Sequence, residues 1–405
     1  MRYLAYCISA LLLSGCISSV YEVPVVGSVV AGQGDTRPFE QPLPINTQPK
    51  RLALGTDFAI GVKEDGTVWS WGRGGSGVLG TGYINKDTPQ AIPNMTDFIE
   101  VAVGSDHVLA LRKDGTVWSW GDNKKGQLGY KEDGVPYGDP ANLQYDPQQL
   151  TPKQIPDLTE VVSIATGRNY SLALDKQGRV WGWGSDLFMF SQDEKFKQAT
   201  PRLIVQDENA VKVIGGSSAT YGMLLKTGDA KLWFAGKLLQ QKFDAPVVDV
   251  VSTGANTYFL LNTGRVYALG YNSLGALAQL GKYAHYEDNP QLITQIGRVI
   301  KIDKYTALDD KGRVWQWGGI AGINIDKTFS GNNMYSQYFP RVMASGKDIV
   351  DVYCCSFALS KDGTVWAWSN DTGGRRGDAK PVISSFQKQT HHHWTTPVRS
   401  LWTWK

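Results

Sequence analysis

Ser105-Asp106-His107 brings together the side-chain types of a hydroxyl nucleophile, an acid and a base. A hydrolytic triad needs those groups to converge in space with the imidazole between the other two, and three neighbours on one turn or strand diverge instead. The related triplets Thr56-Asp57-Phe58 and Arg168-Asn169-Tyr170 discard the base, so no catalytic residue is expected and the chain is not read as an enzyme. His391-His392-His393 is the one run with metal-ligand character, with His391 and His393 on one side of extended backbone and Asp371 or Asp378 as oxygen donors. A stable site takes three or four convergent ligands and a supporting shell, so no metal and no cofactor are expected. Cys354-Cys355 reads as two small apolar residues of an inner strand pointing to opposite faces, with a vicinal disulfide as the alternative in an oxidising compartment. No disulfide framework is expected to hold the fold, and the basic pairs Lys124-Lys125 and Arg375-Arg376 read as solvated loops.

What could position any of these groups is a repeat. Asp65-Gly66-Thr67-Val68-Trp69-Ser70-Trp71-Gly72 returns as Asp114-Gly115-Thr116-Val117-Trp118-Ser119-Trp120-Gly121, and further copies centre on Trp181, Trp233, Tyr267, Trp315 and Trp366. A recurrence about every fifty residues means a repeat architecture. In the second copy, residues 99–104, 107–111, 116–120 and 151–155 are four short β-type runs, the composition of one antiparallel four-stranded sheet. The Asp-Gly between the second and third runs signals a tight hairpin. Trp118 and Trp120 lie two apart and share one face of their strand, while Val117 takes the other. Both faces are therefore apolar and each sheet must be sandwiched, which radial stacking of blades achieves. Trp69, Trp71, Trp118, Trp120, Trp181, Trp183, Trp233, Trp315, Trp317, Trp366 and Trp368 are accordingly core residues, each burying some 150–250 Å².

The phrase Asp-Gly-x-Val-Trp-x-Trp-Gly, preceded by Val-x-x-Gly and an apolar strand and followed once by Asn123-Lys124-Lys125-Gly126-Gln127-Leu128-Gly129, resembles the regulator of chromosome condensation repeat. Residues 77–80 and 275–278 carry approximate versions of the Gly-x-Leu-Gly element. The resemblance covers residues 51–405 and implies an all-β, seven-bladed β-propeller of four-stranded antiparallel blades. Blade four is degenerate: Trp233 and Tyr267 are so close that most of its third-to-fourth connection, and the fourth strand itself, are in question. Two segments compete to close the ring, residues 396–399 as the outer strand of blade seven, or residues 41–46 docking there from the N-terminus. The family's exchange activity on a small GTPase is not carried over, because no segment matches an exchange wing residue by residue.

In a four-strand meander the first-to-second and third-to-fourth connections leave from one end. The long insertions at 122–150, 185–199, 272–289, 319–339 and 369–395 therefore share a face, and binding belongs on such loops. They carry Tyr130, Tyr137, Tyr145, Tyr283, Tyr286, Tyr335 and Tyr338, side chains that offer large contact area with a polar tip.

The N-terminus is the other informative segment. Arg2, an uncharged apolar run over 3–12 and Leu13-Ser14-Gly15-Cys16 resemble the signal and lipobox of bacterial lipoproteins, the run being too short to span a bilayer. The resemblance implies a signal peptide at 1–15, diacylglycerol on Cys16 with N-acylation (palmitate chemistry), a tether over 16–48 and a propeller over 49–405. Two or more acyl chains make such anchoring stable. Ile17 in place of Asp favours the outer membrane.

With 42% apolar and 20% charged residues the chain can bury a large core, and a net charge of +3 over 405 residues makes nucleic acid an unexpected partner. The expected function is a lipid-anchored scaffold binding an envelope or extracellular protein through the insertion face. Alternatives are inhibition of an envelope or foreign enzyme by that face, in the manner of the propeller-type secreted β-lactamase inhibitors it resembles; a glycan-binding protein; or, last, a propeller-face hydrolase or lyase.

Overall fold

The computed structural model describes residues 39–130, 148–185, 198–216, 220–234, 237–253, 256–272, 275–278, 286–318, 340–345, 348–354, 357–367 and 398–403. These form seven four-stranded antiparallel sheets, each built from consecutive strands, arranged as the blades of a ring. In sequence order the blades occupy 52–91, 98–154, 161–206, 210–240, 247–292, 299–344 and 349–403.

The repeated phrase folds as its chemistry dictates. Gly66 and Gly115 sit at φ of 82° and 84°, in the left-handed region that glycine adopts without a Cβ penalty. The preceding aspartate completes the turn. Asp65 Oδ1 accepts from Thr67 N (2.9 Å) and Thr67 Oγ1 (2.6 Å), and Asp114 Oδ1 accepts from Thr116 N (3.0 Å) and Thr116 Oγ1 (2.7 Å). These bonds, the threonine hydroxyl first, hold both carboxyls below the usual carboxylate range.

The two tryptophans of the phrase have different jobs. Trp71, Trp120, Trp183 and Trp317 are fully buried, whereas Trp69, Trp118, Trp181, Trp233 and Trp366 are half-buried. The inner indole ties one blade to the one before it: Trp120 Nε1 donates to Val78 O (2.8 Å), Trp183 Nε1 to Gln127 O (2.9 Å) and Trp317 Nε1 to Ala276 O (3.1 Å). Each acceptor lies in a Gly-x-Leu-Gly element or its approximate version, so the two halves of the repeat meet across the blade boundary. Several outer indoles are covered by cations instead, with Lys63 over Trp69 at 4.6 Å and Arg179 over Trp181 at 5.4 Å. Trp315 is buried but keeps the contacts of Trp181: Nε1 of Trp181 donates to Asp175 Oδ2 (2.9 Å) and that of Trp315 to Asp309 Oδ2 (2.8 Å), with Arg313 over the Trp315 ring at 4.9 Å. Trp368 lies outside the described residues.

Among the described residues the core divides into seven apolar clusters, one at each boundary between neighbouring blades. The boundary that closes the ring joins blade seven (Tyr353, Phe357, Leu359, Val365) to blade one (Leu52, Ala59, Trp71). Blade seven takes its outer strand, Val398–Thr403, from its own sequence. Residues 41–46 do not enter a sheet; they cross blade five, where Leu43 N donates to Asn262 O (2.9 Å) and Asn46 N to Val248 O (2.7 Å). Blade four keeps a fourth strand, Lys237–Gln240, only four residues long, so its shortening removes the connection and not the strand.

Candidate functional site

Two regions have the geometry of a site: the face bearing the insertions, and the central channel. At the insertion face the end of each third strand abuts the turn between the first two. A Cβ on Gly121 would lie 2.5 Å from Asp106 O, and Arg73 N donates to Asp57 O (2.9 Å). The hairpins and the links between blades share the opposite face, where Gly115 packs on Glu160 and Gly178 on Asp207. The described strand ends that flank each long insertion are therefore all on one side of the ring.

Of the tyrosines expected there, Tyr130 is corrected. It is 3% exposed, packed with Leu128, Ile155 and Trp183, with Lys153 over its ring at 4.6 Å. It follows Gly126-Gln127-Leu128-Gly129 so closely that it belongs to the motif's own packing. Tyr286 begins the outer strand Tyr286–Leu292 of blade five, opposite Tyr271. Tyr137, Tyr145, Tyr283, Tyr335 and Tyr338 lie outside the described residues. The described part of the face shows apolar side chains that the tyrosine count missed: Tyr83 (51% exposed) and Ile84 (71%) on blade one, Phe234 (42%) on blade four and Tyr271 (40%) on blade five. Their signal in the sequence is position, Phe234 and Tyr271 as the last residues of their third strands and Tyr83 and Ile84 just before the fourth strand of blade one.

His107 does not act with Ser105 and Asp106. Its Nε2 lies 3.0 Å from Ser171 Oγ of blade three, and that hydroxyl donates to Gln127 O (2.8 Å). Burial pushes the imidazole pKa down to about 3 and keeps the ring neutral. The position is a blade-to-blade connector. Tyr170 fills it in the next blade, where its hydroxyl accepts from Gly216 N (2.9 Å) and reaches the Thr220 carbonyl. The histidines at 391–393 with Asp371 and Asp378 lie outside the described residues, and among the described residues no group of three His, Cys, Asp or Glu is placed to hold a metal ion.

Cys354 requires a second correction. It stands in the turn after the inner strand Ile349–Tyr353 and is disulfide-bonded, so it is not an apolar thiol within that strand; Cys355 lies outside the described residues. The turn is held by Cys354 N donating to Asp303 Oδ2 (2.8 Å).

Cys354 also lines the central channel, a cavity of about 160 Å³ walled by the innermost strand of every blade. Its charges arrive by a repeated irregularity. In blades two to seven the inner strand shifts register near its start, at Phe98/Glu100, Val161/Ser163, Ala210/Lys212, Val247/Asp249, Val299/Lys301 and Ile349/Asp351. Such a bulge re-aims the side chain that follows it. Glu100, Lys212, Asp249, Lys301 and Asp351 thereby line the cavity, joined by Asp303 and Lys304 from the end of the blade-six strand and by Lys50, Gln48 and Asn46 from the N-terminal segment.

That segment is anchored by charge. Lys50 Nζ donates to Asp303 Oδ2 (2.6 Å), Asn46 Nδ2 to Asp249 Oδ2 (2.6 Å), and Lys212 Nζ to Asp249 Oδ1 (2.7 Å). Burial opposes ionisation at Asp303, but Lys50 and Lys304 outweigh it and hold the carboxyl below its usual range. Glu100 fares oppositely: burial raises its pKa to about 8 despite Lys212 and the amides of Ile164 and Lys50. Burial, with repulsion from Lys50, lowers Lys304.

A ring of seven consecutive four-stranded blades, with indoles linking neighbours and variable loops on one face, defines a β-propeller of the kind that presents binding surfaces on a rigid frame. The repeat described as "Regulator of chromosome condensation (RCC1) repeat" matches residues 50–78, 98–127 and 161–188, and in a second form 65–111 and 114–174. Together these matches span residues 50–188, which carry regulator of chromosome condensation repeats. It is similar to protein RCC1 of Candida albicans, 27% identical over 270 residues covering 54% of this chain and 57% of that protein. It is also similar to the E3 ubiquitin-protein ligase HERC2 of Homo sapiens, 31% identical over 200 residues covering 46% of this chain and 4% of the ligase. The chain thus spans little more than half of the first relative and a small part of the second. Among solved structures, Prp20p of Saccharomyces cerevisiae, described with its binding to Gsp1p and histones, superposes with a TM-score of 0.63 at 19% identity, covering 88% of this chain and 87% of that one. The same yeast protein bound to Kap60 gives 0.62 at 19% identity, over 95% and 92%. At that identity the likeness concerns the fold.

Proposed function

We propose that this chain is a lipid-anchored envelope propeller that binds a protein partner through its insertion-bearing face. The observation that carries the reading is the opposition of two features. The strand ends flanking the insertions all lie on one face, while the N-terminal segment meets the ring from the other: Phe39 packs against the blade-five hairpin at Gly264 and lies beneath Arg298, 4.8 Å from its guanidinium. A tether attached through Cys16 would present the insertions away from the bilayer. The exposed Tyr83, Ile84, Phe234 and Tyr271 supply apolar contact area at that face. Propeller relatives described with protein partners support the mode of action.

The test has two arms. Labelled palmitate should enter the parent protein and not Cys16→Ser, whose product should leave the membrane fraction. Crosslinking in native envelopes should capture a partner that is lost on combined Ala substitution of Tyr137, Tyr286 and Tyr338 with thermal melting unchanged. Capture that survives those substitutions, or labelling that survives loss of Cys16, overturns the corresponding half.

A further inference from the structure

We propose that Lys86, at the insertion face of blade one, receives a carboxylate of the bound partner, an aspartate or glutamate side chain presented beside an apolar one; the assignment rests on that face being the binding face. Lys86 opens the outer strand Lys86–Ala91, two residues after the exposed Ile84, and pairs with Gly72 at the end of the third strand. It is 7% exposed, and its ammonium donates to Ser70 Oγ at 3.3 Å. That hydroxyl gives its own proton to Leu79 O (2.8 Å), so the lysine meets a neutral acceptor. Among the described residues no carboxylate forms an ion pair with it, and burial, with no opposing charge to offset it, holds its pKa below the ordinary 10.5.

The repeat itself does not require a lysine at this position. In blade two Ser119 Oγ donates to Leu128 O (2.7 Å) as Ser70 does to Leu79 O. The residue paired there with Gly121 is Gln149, whose amide turns along its own strand to Thr151 O (2.9 Å). Opposite the corresponding glycines, blade three has Gln198 and blade five Glu287. The serine therefore serves the scaffold, and the lysine is what blade one adds. Nor is the pair a hydrolytic dyad, because Ser70 is 0% exposed and offers no oxygen that a substrate could reach.

A buried cation without a counter-charge opposes folding, and a carboxylate brought by a partner would relieve that penalty on binding. The approach to it is firmly held. Gly74 N donates to Asn85 Oδ1 (2.8 Å), and a Cβ on Gly74 would lie 2.7 Å from Ile84 O, so the connection closes tightly on itself. Tyr83, 51% exposed, and Ile84, 71% exposed, are thus presented on a fixed turn that leads into the lysine strand. Apolar contacts that exclude water around a charge pair strengthen it.

The experiment places the photo-crosslinker p-benzoylphenylalanine at Ile84 of the full chain and irradiates native envelopes. A product is expected whose partner peptide carries an aspartate or glutamate close to the attachment point. Its yield should fall at least tenfold in Lys86→Met and Lys86→Glu and be largely kept in Lys86→Arg. Lysine in place of the partner's acid should restore the yield to Lys86→Glu. Lys86→Met should also melt higher than the parent, since it removes a buried charge that no carboxylate balances. A product insensitive to Lys86→Met, a charge exchange without rescue, or a lower melting temperature in Lys86→Met overturns the proposal. So does the absence of a product in envelopes where capture dependent on Tyr137, Tyr286 and Tyr338 succeeds; that result leaves the binding face standing, whereas failure of both removes both.

Discussion

Two buried groups titrate in opposite senses, and each adds its own slope to the pH dependence of the ring's stability. His107 is neutral in the folded state with its pKa lowered to about 3, against an ordinary 6.5. The unfolded chain therefore takes up the proton first, and stability from this group is complete above 6.5 and falls with decreasing pH until about 3. Glu100 has its pKa raised to about 8 from 4.5, so the folded state holds the proton longer. Its contribution is complete below 4.5 and falls as pH rises towards 8. Each slope is about 1.4 kcal/mol per pH unit. Between 4.5 and 6.5 the two oppose one another; above that window Glu100 governs, and below it His107. Asp122 and Asp351, both raised by burial, add slopes of the Glu100 sign, so the clean readout is the difference between variant and parent. Guanidinium unfolding at pH 4.5, 5.5, 6.5 and 8, followed by tryptophan fluorescence, supplies it. Glu100→Gln should gain about 3 kcal/mol on the parent between pH 5.5 and 8, and His107→Gln about 2 kcal/mol between pH 6.5 and 4.5. A difference curve flat to within about 0.5 kcal/mol over its window would refute the reasoning for that group.

Trp120→Phe removes the donor to Val78 O and should cost about 1 kcal/mol or more, whereas Trp118→Phe, whose Nε1 has no partner among the described residues, should cost less; chemical denaturation at constant m-value compares them. Asp303→Asn takes the carboxylate from Lys50, and because Lys50 is 39% exposed the cost should be about 1–3 kcal/mol, below that of a fully buried pair. The same variant should cleave faster within residues 39–50 under limited proteolysis, and an unchanged rate would count against Asp303 as the anchor of that segment.

The blades were legible because their determinants are local. A turn glycine, an aspartate that bonds two residues on, and a pair of indoles all fall within eight residues, and seven copies make the period plain. The site was legible only in part, because its determinants are not local. Lys50 meets Asp303 and Asn46 meets Asp249 across more than two hundred residues, in a segment without repeat character, so spacing along the chain carries no trace of the pairing. The charged channel is similarly hidden: without the bulge that precedes them, Glu100, Lys212 and Asp351 read as isolated polar residues in apolar strands. Tyr130 misled because its loop begins inside a packed motif, and Cys354 because the inner strand ends one residue before it.

Among the described residues the ring is sealed between blades seven and one by packed side chains, with no strand lent from one end of the chain to complete the sheet at the other. Each blade can therefore finish its hydrogen bonding as soon as its own fifty or so residues are available, without waiting for the C-terminus to be made. For a chain delivered N-terminus first, assembly becomes a vectorial process in which only the last docking joins distant parts of the sequence. The seam is then the natural place to rejoin the polypeptide: a circular permutant opened at any other blade link would join blade seven to blade one here, and every sheet would remain covalently whole.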